Sequence, residues 1–242
     1  MAFVPGISNW NENEKEFEKQ RARLIKGRTE EYVDQFAVTT RRQTICHALT
    51  RIKLFEKILD VKGSIVECGV YRGEGLMLYY HLSSLLEPYA FNRKIYGFDT
   101  FAGFQSITDK DPLKLPAAAL ADADYEFLKE MISVHDLNRP LSHLPKCGLV
   151  KGDATVTIPE FKIAHPELII ALLYLDFDIY APTKVALEHF LPLVPKGGIV
   201  AFDELNVAKW SGETVAFKEM LELNKIELKK FPFEPYVSYF VV

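Results

Sequence analysis

The sequence predicts an α/β fold in which helices cover both faces of a mostly parallel sheet. Five short apolar runs alternate with segments of helical periodicity, the order typical of strand–helix–strand units. The runs are nearly continuous rather than alternating with polar residues, as expected for strands buried on both faces. With 242 residues, 48% of them hydrophobic, the chain can bury the core of one large domain.

The residue pattern of the N-terminal part of the chain predicts helices. Residues 1–38 are interpreted as a charged helical arm, because residues 9–28 carry many charges and only scattered apolar side chains. Residues 39–63 have apolar positions at helical spacing and end at Gly63, a reasonable stop. The recurring positions are Ile45, Leu49, Ile52, Phe55 and Leu59. This helix is expected to pack onto the main domain, which is placed at residues 39–242.

The five strands and the helices between them are read directly from the pattern. The strands are SIVECGV (64–70), KIYGFD (94–99), CGLVKGD (147–153), LIIALLYLDFD (168–178) and GGIVAFDE (197–204). Helices are predicted in GLMLYYHLSSLLEPY (75–89), APTKVALEHFLPLVPKGG (181–198) and SGETVAFKEMLELN (211–224). The segments KIELKKF and YVSYFVV near the C-terminus predict a closing hairpin at the sheet edge.

Residues 101–146 interrupt this alternation. The segment is too long for a plain connection between two strands. It is expected to hold a helix from about Asp124 to Val134 between irregular loops. We interpret it as a lid or substrate-facing insertion.

Charge and cysteine content narrow the class of protein. The net charge of −4 argues against a nucleic-acid partner. The cysteines, Cys46, Cys68 and Cys147, are too few and too far apart for a disulfide framework or a zinc site. Because no apolar run approaches a membrane span and the N-terminus lacks a signal-peptide core, a cytoplasmic location is expected.

Acidic residues stand at the end of every predicted strand. In open α/β sheets, ligands bind beyond the carboxyl ends of the strands. The first strand also runs into glycines spaced G-x-x-x-G-x-G, which is not the dinucleotide spacing G-x-G-x-x-G. The acids, in strand order, are Glu67; Asp99; Asp153; Asp176 and Asp178; Asp203 and Glu204.

The first acids suggest a nucleoside-like ligand. Asp99 follows the glycine loop by one strand, where a carboxylate typically accepts from the two ribose hydroxyls. Asp153 would then lie near an adenine. For Asp153 and Asp178, a role as a helix cap or in a solvated turn is equally open.

The later acids suggest a hard cation. Asp176, Asp203 and Glu204 end two strands that we expect to be neighbours, with no histidine or cysteine nearby. Three carboxylates of this kind suit Mg²⁺. The alternative is that they cap the following loops and helix.

Five blocks of the sequence resemble those of one enzyme family. VECGVYRGEGL, GFDTFAGF, KGDA, LLYLDFDIYAPT and IVAFDELNVAKWSGET resemble, in this order, motifs of the macrocin-type O-methyltransferases (the TylF/MycF family). These are class I S-adenosylmethionine-dependent methyltransferases. The resemblance covers about residues 39–222, and the GFDTF and LDFD…FDE blocks are its more specific parts.

The resemblance implies a Rossmann-like, seven-stranded sheet whose last strand is antiparallel. It implies S-adenosylmethionine at the strand ends, a divalent cation, usually Mg²⁺, on Asp176, Asp203 and Glu204, and Asp176 as catalytic base. It also implies a sugar or glycoside hydroxyl as acceptor and a homodimer or higher oligomer. The implied cofactor-binding residues are Glu67, Gly69, Val70, Tyr71, Gly73, Asp99, Thr100, Phe101, Gly152, Asp153, Ala154 and Asp176.

Two departures and two alternatives accompany this resemblance. The family often has Asp-Asp where this chain has Asp203 and Glu204, and the catalytic histidine assigned downstream in some members has no counterpart after His189. A nicotinamide-dependent oxidoreductase on the same fold is the first alternative, although the glycine spacing and the acidic triad argue against it. A non-catalytic binding protein of the same fold is the second.

Overall fold

The structure, a computed structural model, describes residues 12–112 and 119–242. The chain divides into two compact units, Met1–Leu49 and Thr50–Val242. The predicted boundary between arm and main domain, at residue 38, stays a prediction. Residues 1–11 of the arm and residues 113–118 of the insertion lie outside the described residues.

The described part of the first unit is helical. Helix α1 (Glu12–Ile25) is followed by a 3-10 turn (Glu30–Tyr32), helix α2 (Phe36–Thr39) and the start of α3 (Arg42–Glu56). Glu18 lies 3.6 Å from a guanidinium nitrogen of Arg21 and 3.5 Å from one of Arg41. The Nε of Arg21 also donates to the carbonyl of Thr39, so charged side chains connect α1 to the turn after α2.

The second unit is built on one seven-stranded sheet. Its strands, in chain order, are β1 (Ser64–Cys68), β2 (Ile95–Asp99), β3 (Cys147–Lys151), β4 (Ile170–Leu175), β5 (Ile199–Phe202), β6 (Lys229–Lys230) and β7 (Ser238–Val241). The spatial order is β3-β2-β1-β4-β5-β7-β6. Strand β7 is antiparallel to both β5 and β6, whereas the other pairs are parallel. The predicted α/β class, parallel sheet and closing hairpin are confirmed.

Four of the five predicted strands, all except the second, are shorter in the structure at their carboxyl ends. Predicted strand residues such as Val70, Asp178 and Glu204 lie instead in loops beyond the sheet. At two ends the cause is visible in the backbone, because Gly69 and Asp178 have φ values of +97° and +64°. A residue with positive φ cannot continue an extended strand, so the chain turns away from the sheet at these points.

Helices connect the strands and confirm most of the pattern. They are α4 (Glu74–Leu86), α5 (Tyr125–Asp136), α6 (Ala154–Ala164), α7 (Tyr180–Phe190) and α8 (Ser211–Met220). Helix α5 is the one predicted in the insertion, and the carboxylate of Asp124 caps it by accepting from Phe127 N at 3.0 Å. Helix α6 was not predicted, because β-branched residues and Pro159 weaken its helical signal.

The buried face of α3 differs from the predicted one. Ile45, Leu49 and Leu59 are 43%, 37% and 40% exposed, while the buried positions of the helix are Thr50, Arg51, Leu54 and Phe55. Of the five predicted positions, only Phe55 is fully buried. The prediction counted apolar side chains alone, whereas a charged residue, Arg51, belongs to the inner face.

Both faces of the sheet are covered, as the continuous apolar runs indicated. All six residues of β4 are buried. Leu172 and Tyr174 face a core that includes Leu54 and Tyr79, and Leu173 and Leu175 face the opposite core with Phe190 and Phe217. In the described ranges, no helix is long and apolar enough to span a membrane.

Candidate active site

The glycine loop between β1 and α4 lies at the point where the sheet order reverses. Strand β1 has β2 on one side and β4 on the other, so successive connections leave the sheet in opposite directions there. Gly69 N donates to Phe98 O of β2 at 2.8 Å, and Asp176 N donates to Cys68 O of β1 at 2.7 Å. The loop is therefore held against both neighbouring strands at their carboxyl ends.

Asp99 organises this loop through its backbone. Its Oδ2 accepts from Val70 N and Tyr71 N, both at 2.8 Å, and its Oδ1 accepts from Phe101 N at 2.7 Å. Tyr71 and Phe101 have positive φ values of 49° and 52°. Such backbone conformations are costly for non-glycine residues and concentrate at ligand sites. The predicted ribose contact of Asp99 stays a prediction.

The third strand is followed by a capped helix. Asp153 Oδ1 accepts from Thr155 N and Thr155 Oγ1 at 2.8 and 2.7 Å, so Asp153 is the N-cap of α6. Its Oδ2 accepts from the hydroxyl of Ser106. Gly152 has a φ of +141°, and Ala154 begins the helix as a buried residue. The cap role is thus observed for Asp153, while the adenine contact stays a prediction.

Three carboxylates meet beyond β4 and β5. In the described part of the chain, ligand oxygens of Asp176, Asp178 and Glu204 all lie within 4.8 Å of one another. The positive φ of Asp178 turns the chain back so that this carboxylate approaches the other two. Asp178 was read from the sequence as a strand-end acid without a role in metal binding. Its spacing of two from Asp176, which places both on one side of an extended segment, was the available signal.

Burial and neighbouring negative charges raise the pKa values of these carboxylates. Loss of solvation, together with the charges of Asp203 and Asp178, raises the pKa of Asp176 well above its usual range. Desolvation likewise raises the pKa of Asp178 to about 6, and desolvation with the charge of Asp178 raises that of Glu204. Like charges at this separation destabilise each other, and a bound cation reverses that effect.

Asp203 occupies a different position from the three. It is buried, and its Oδ1 accepts a hydrogen bond from the hydroxyl of Tyr174 in β4. The predicted ligand set of Asp176, Asp203 and Glu204 therefore stays a prediction, with one oxygen of Asp203 engaged by a protein donor.

Glu67 pairs with an arginine that the sequence reasoning did not select. A terminal nitrogen (Nη2) of Arg51 lies 3.2 Å from Glu67 Oε1 and 3.7 Å from Asp176 Oδ2. Desolvation raises the pKa of Glu67 to about 7 despite the opposing effect of Arg51. Arg51 precedes Leu54 and Phe55 by three and four positions, so helical spacing could have placed it on the inner face.

A buried glutamate of α8, which the sequence analysis did not select, holds the segment after β5 in place. Glu213 of α8 is fully buried, and its Oε1 accepts from Glu204 N at 3.1 Å. This bond fixes the backbone that carries Glu204. The signal available in the sequence was the spacing of Glu213 with Ala216 and Phe217, both buried in the same helix.

Aromatic residues of the insertion pack against one another and against the segment after β5. Phe101 packs on Tyr125 with ring centroids 5.1 Å apart, and Phe104 packs on Trp210 at 5.9 Å. Lys209 lies over the Trp210 ring at 4.7 Å. Phe101 and Trp210 are buried, so each of these aromatic pairs has one ring that is shielded from solvent.

The strand order β3-β2-β1-β4-β5-β7-β6, with its reversal at β1 and a glycine loop at that reversal, is a Rossmann-like architecture that matches class I methyltransferases. A family model described as macrocin-O-methyltransferase (TylF) matches residues 39–229, most of the chain. The chain belongs to this family and is an S-adenosylmethionine-dependent O-methyltransferase. This assignment confirms the resemblance read from the sequence and replaces the oxidoreductase and the non-catalytic binding protein.

Solved structures of the same fold include two of one enzyme. CalS11, described as a calicheamicin methyltransferase, is 35% identical, with a TM-score of 0.89 over 96% of this chain and 93% of that chain. Its apo structure, described as TDP-rhamnose 3'-O-methyltransferase, is 34% identical, with a TM-score of 0.82 over 96% and 95%. The O-methyltransferase NovP is 20% identical, with a TM-score of 0.63 over 81% and 79%, and shares the fold. Comparison with curated proteins finds no match.

Proposed function

We propose that this enzyme methylates a hydroxyl of a sugar or glycoside, with the assistance of Mg²⁺ or a similar divalent cation and with Asp176 as base. The observation that carries the proposal is the meeting of Asp176, Asp178 and Glu204 within 4.8 Å, next to the glycine loop. The loop and the carboxylates belong to one edge of the sheet, because the carbonyl of Asp176 lies against Gly69.

The residues around the loop fit S-adenosylmethionine. Gly73 has a φ of +87° and begins α4, and a Cβ there would lie 2.5 Å from Leu128. Oε2 of Glu67 is buried without a hydrogen-bond partner among the described residues. A buried carboxylate oxygen of this kind suits the ammonium group of the cofactor. When bound, the cofactor supplies an electrophilic methyl group on sulfur.

The carboxylates fit a hard divalent cation. Mg²⁺ prefers oxygen ligands and is usually held by one or two carboxylates together with water or substrate oxygens. Oε2 of Glu204 is buried and lacks a hydrogen-bond partner within the described ranges. The ion, when bound, lowers the pKa of a hydroxyl that coordinates it.

Asp176 is the residue placed to remove the proton. Its side chain is 27% exposed, so it can meet an acceptor, and it adjoins the glycine loop. With the cofactor bound, the acceptor oxygen would take the methyl group from sulfur, and sulfur would keep the electron pair of the broken bond. The carboxylate of Asp176 would accept the hydroxyl proton.

A saccharide acceptor is supported by the relatives. CalS11, which is 34% identical to this chain, is described as acting on TDP-rhamnose. Phe104, which follows β2, and Trp210, which follows β5, form an aromatic pair on segments that leave the carboxyl ends of the sheet, and an aromatic surface suits the carbon-bound hydrogens of a sugar ring. Nucleotide-linked deoxysugars are therefore the first acceptors to assay.

The test combines chelation with one substitution. Methyl transfer to TDP-rhamnose and related sugars is measured in EDTA, after return of Mg²⁺, and in D176N. We expect activity to fall at least about a hundredfold in EDTA and in D176N, with recovery of the wild type on addition of Mg²⁺. D109N, at an exposed aspartate of the insertion, is the control. Full activity in chelator or in D176N would overturn the metal-and-base model.

The proposal includes a homodimer or higher oligomer. It is supported by exposed apolar residues in the first unit, where Val33, Phe36 and Val38 are 69%, 61% and 71% exposed. Light scattering during size exclusion checks it, since a mass of 27.6 kDa would identify a monomer. The cytoplasmic location also stays a prediction.

A further inference from the structure

Arg51 connects the cofactor loop side of the sheet to the carboxylate cluster. Its guanidinium, on α3, lies between Glu67 of β1 and Asp176 after β4, at 3.2 and 3.7 Å from their oxygens. The plane of Tyr174 supports it from below, with the guanidinium carbon 4.5 Å from the ring centroid. Arg51 is 8% exposed, so these contacts compensate for part of the hydration that its guanidinium loses on burial.

The surrounding packing leaves the guanidinium little freedom. A Cβ at Gly75, in the first turn of α4, would lie 2.4 Å from Arg51 Nε and 2.1 Å from Glu67 Oε1. The absence of a side chain at this position is what lets the helix cover the ion pair. Tyr174 is itself anchored, because its hydroxyl donates to Asp203. Arg51 is therefore a rigid donor rather than a mobile surface charge.

We propose that Arg51 is a positioning residue that orients Asp176 toward Asp178 and Glu204. One terminal nitrogen of Arg51, Nη2, faces both carboxylates, at 3.2 Å from Glu67 Oε1 and 3.7 Å from Asp176 Oδ2, while the guanidinium plane packs on Tyr174. The ion pair with Oδ2 of Asp176 restricts rotation of that carboxylate. The ion pair of Arg51 with Glu67 compensates the positive charge of the buried guanidinium. The inference rests on the proposed function, since it concerns the ability of Asp176 to bind the cation.

Arg93 provides a matched control. It is also buried, at 6% exposure, and also pairs with a glutamate, with its Nε 2.6 Å from Glu87. Its terminal nitrogens donate to the carbonyls of Gly63, Val61 and Ile58 at 2.9, 3.0 and 3.1 Å. Gly63 precedes β1, so Arg93 stabilises the opposite edge of the sheet, away from the carboxylate cluster.

The test measures binding of Mn²⁺, a spectroscopic substitute for Mg²⁺, by electron paramagnetic resonance without cofactor or acceptor. R51M and R51K are compared with R93M and R93K, and binding of S-adenosylhomocysteine is measured in parallel by calorimetry. We expect R51M and R51K to weaken Mn²⁺ binding about tenfold or more, the range known for residues that orient metal ligands. We expect both Arg93 variants that fold to bind Mn²⁺ as the wild type does. R51K keeps the positive charge but loses the planar guanidinium. Mn²⁺ binding by R51K therefore tests the proposal if R51M does not fold.

The outcomes separate the two proposals. A wild-type protein that binds no Mn²⁺ overturns the metal in the proposed function. Wild-type binding with unchanged affinity in R51K or R51M overturns the positioning role alone. Equal loss of Mn²⁺ and S-adenosylhomocysteine binding in R51K also overturns it, since that pattern indicates general collapse of the sheet edge.

Discussion

Gly69 lies so close to Asp176 that a Cβ built on the glycine would be 2.0 Å from the carbonyl oxygen of Asp176. The cofactor loop and the proposed base therefore touch through their backbones. A side chain at residue 69 cannot avoid this contact by changing rotamer, because Cβ is fixed by the backbone.

We accordingly expect G69A to lower the free energy of unfolding by about 3 kcal/mol or more, from left-handed backbone strain and overpacking together. G197A is the matched control. Gly197 has a similar φ of +89°, but a Cβ there would meet only Val61 at an ordinary 3.7 Å. It should lose about 1–2 kcal/mol. Urea unfolding measures both, and equal losses would contradict the steric argument.

Because Asp178 lies close to Asp176 and Glu204, we expect it to contribute to cation binding. We expect D178N to weaken Mn²⁺ binding about tenfold or more, because Asp178 shares the 4.8 Å cluster with Asp176 and Glu204. D203N is the informative comparison, since Oδ1 of Asp203 already accepts from Tyr174. Calorimetric titration of each variant decides between the two ligand sets. Wild-type affinity in D178N, with loss in D203N, would favour the set predicted from the sequence.

Asp111 anchors the insertion to the rest of the enzyme. It is buried, its Oδ1 accepts from Tyr180 N at 2.7 Å, and its Oδ2 accepts from Thr108 N and Oγ1 at 2.8 and 2.9 Å. D111A leaves the buried Tyr180 amide without its acceptor, and we expect a loss of roughly 2–4 kcal/mol.

The neighbouring Asp109 is exposed, so D109A serves as the control and should change the free energy of unfolding by less than about 0.5 kcal/mol. Urea unfolding measures both variants. Since Asp111 holds the backbone two residues after Asp178, D111A should also raise KM for the acceptor. A fully stable D111A would show that the insertion does not depend on this anchor.

Lys146 makes the free energy of unfolding of the enzyme depend on pH in the alkaline range. Its ammonium donates to the carbonyl of Ala90 at 2.9 Å, and burial lowers its pKa from 10.5 to about 8. Between these values the unfolded chain binds more protons than the folded one, so this group makes stability rise with pH. Below pH 8 the lysine is charged in both states, and the full cost of its burial remains.

We expect the stability difference between wild type and K146M to change by roughly 1–2 kcal/mol in favour of the wild type from pH 7.5 to 10.5. Urea unfolding at several pH values measures this change. K129M, at an exposed lysine of α5, is the control and should show no such trend. A constant difference between wild type and K146M would contradict the lowered pKa.

The sequence predicted the fold best where a single residue pattern corresponds to a single structural element. Strands β1, β4 and β5 were found because each is buried on both faces and is therefore nearly continuously apolar. The acids were found because carboxyl ends of parallel strands share one edge. Helix α6 escaped prediction, since its start depends on the Asp153 cap rather than on apolar periodicity.

The sequence by itself determined the α/β class, the glycine loop and the acidic character of the strand ends, because these follow from local pattern and chain order. Only the tertiary structure decided which carboxylates come together and what holds them. Asp178 joins Asp176 and Glu204 through a left-handed turn, and Arg51 reaches Asp176 across two strands. Local spacing indicates the inner face of the helix that carries Arg51 and the side of the chain that carries Asp178, but backbone direction and packing between distant segments decide which groups they meet.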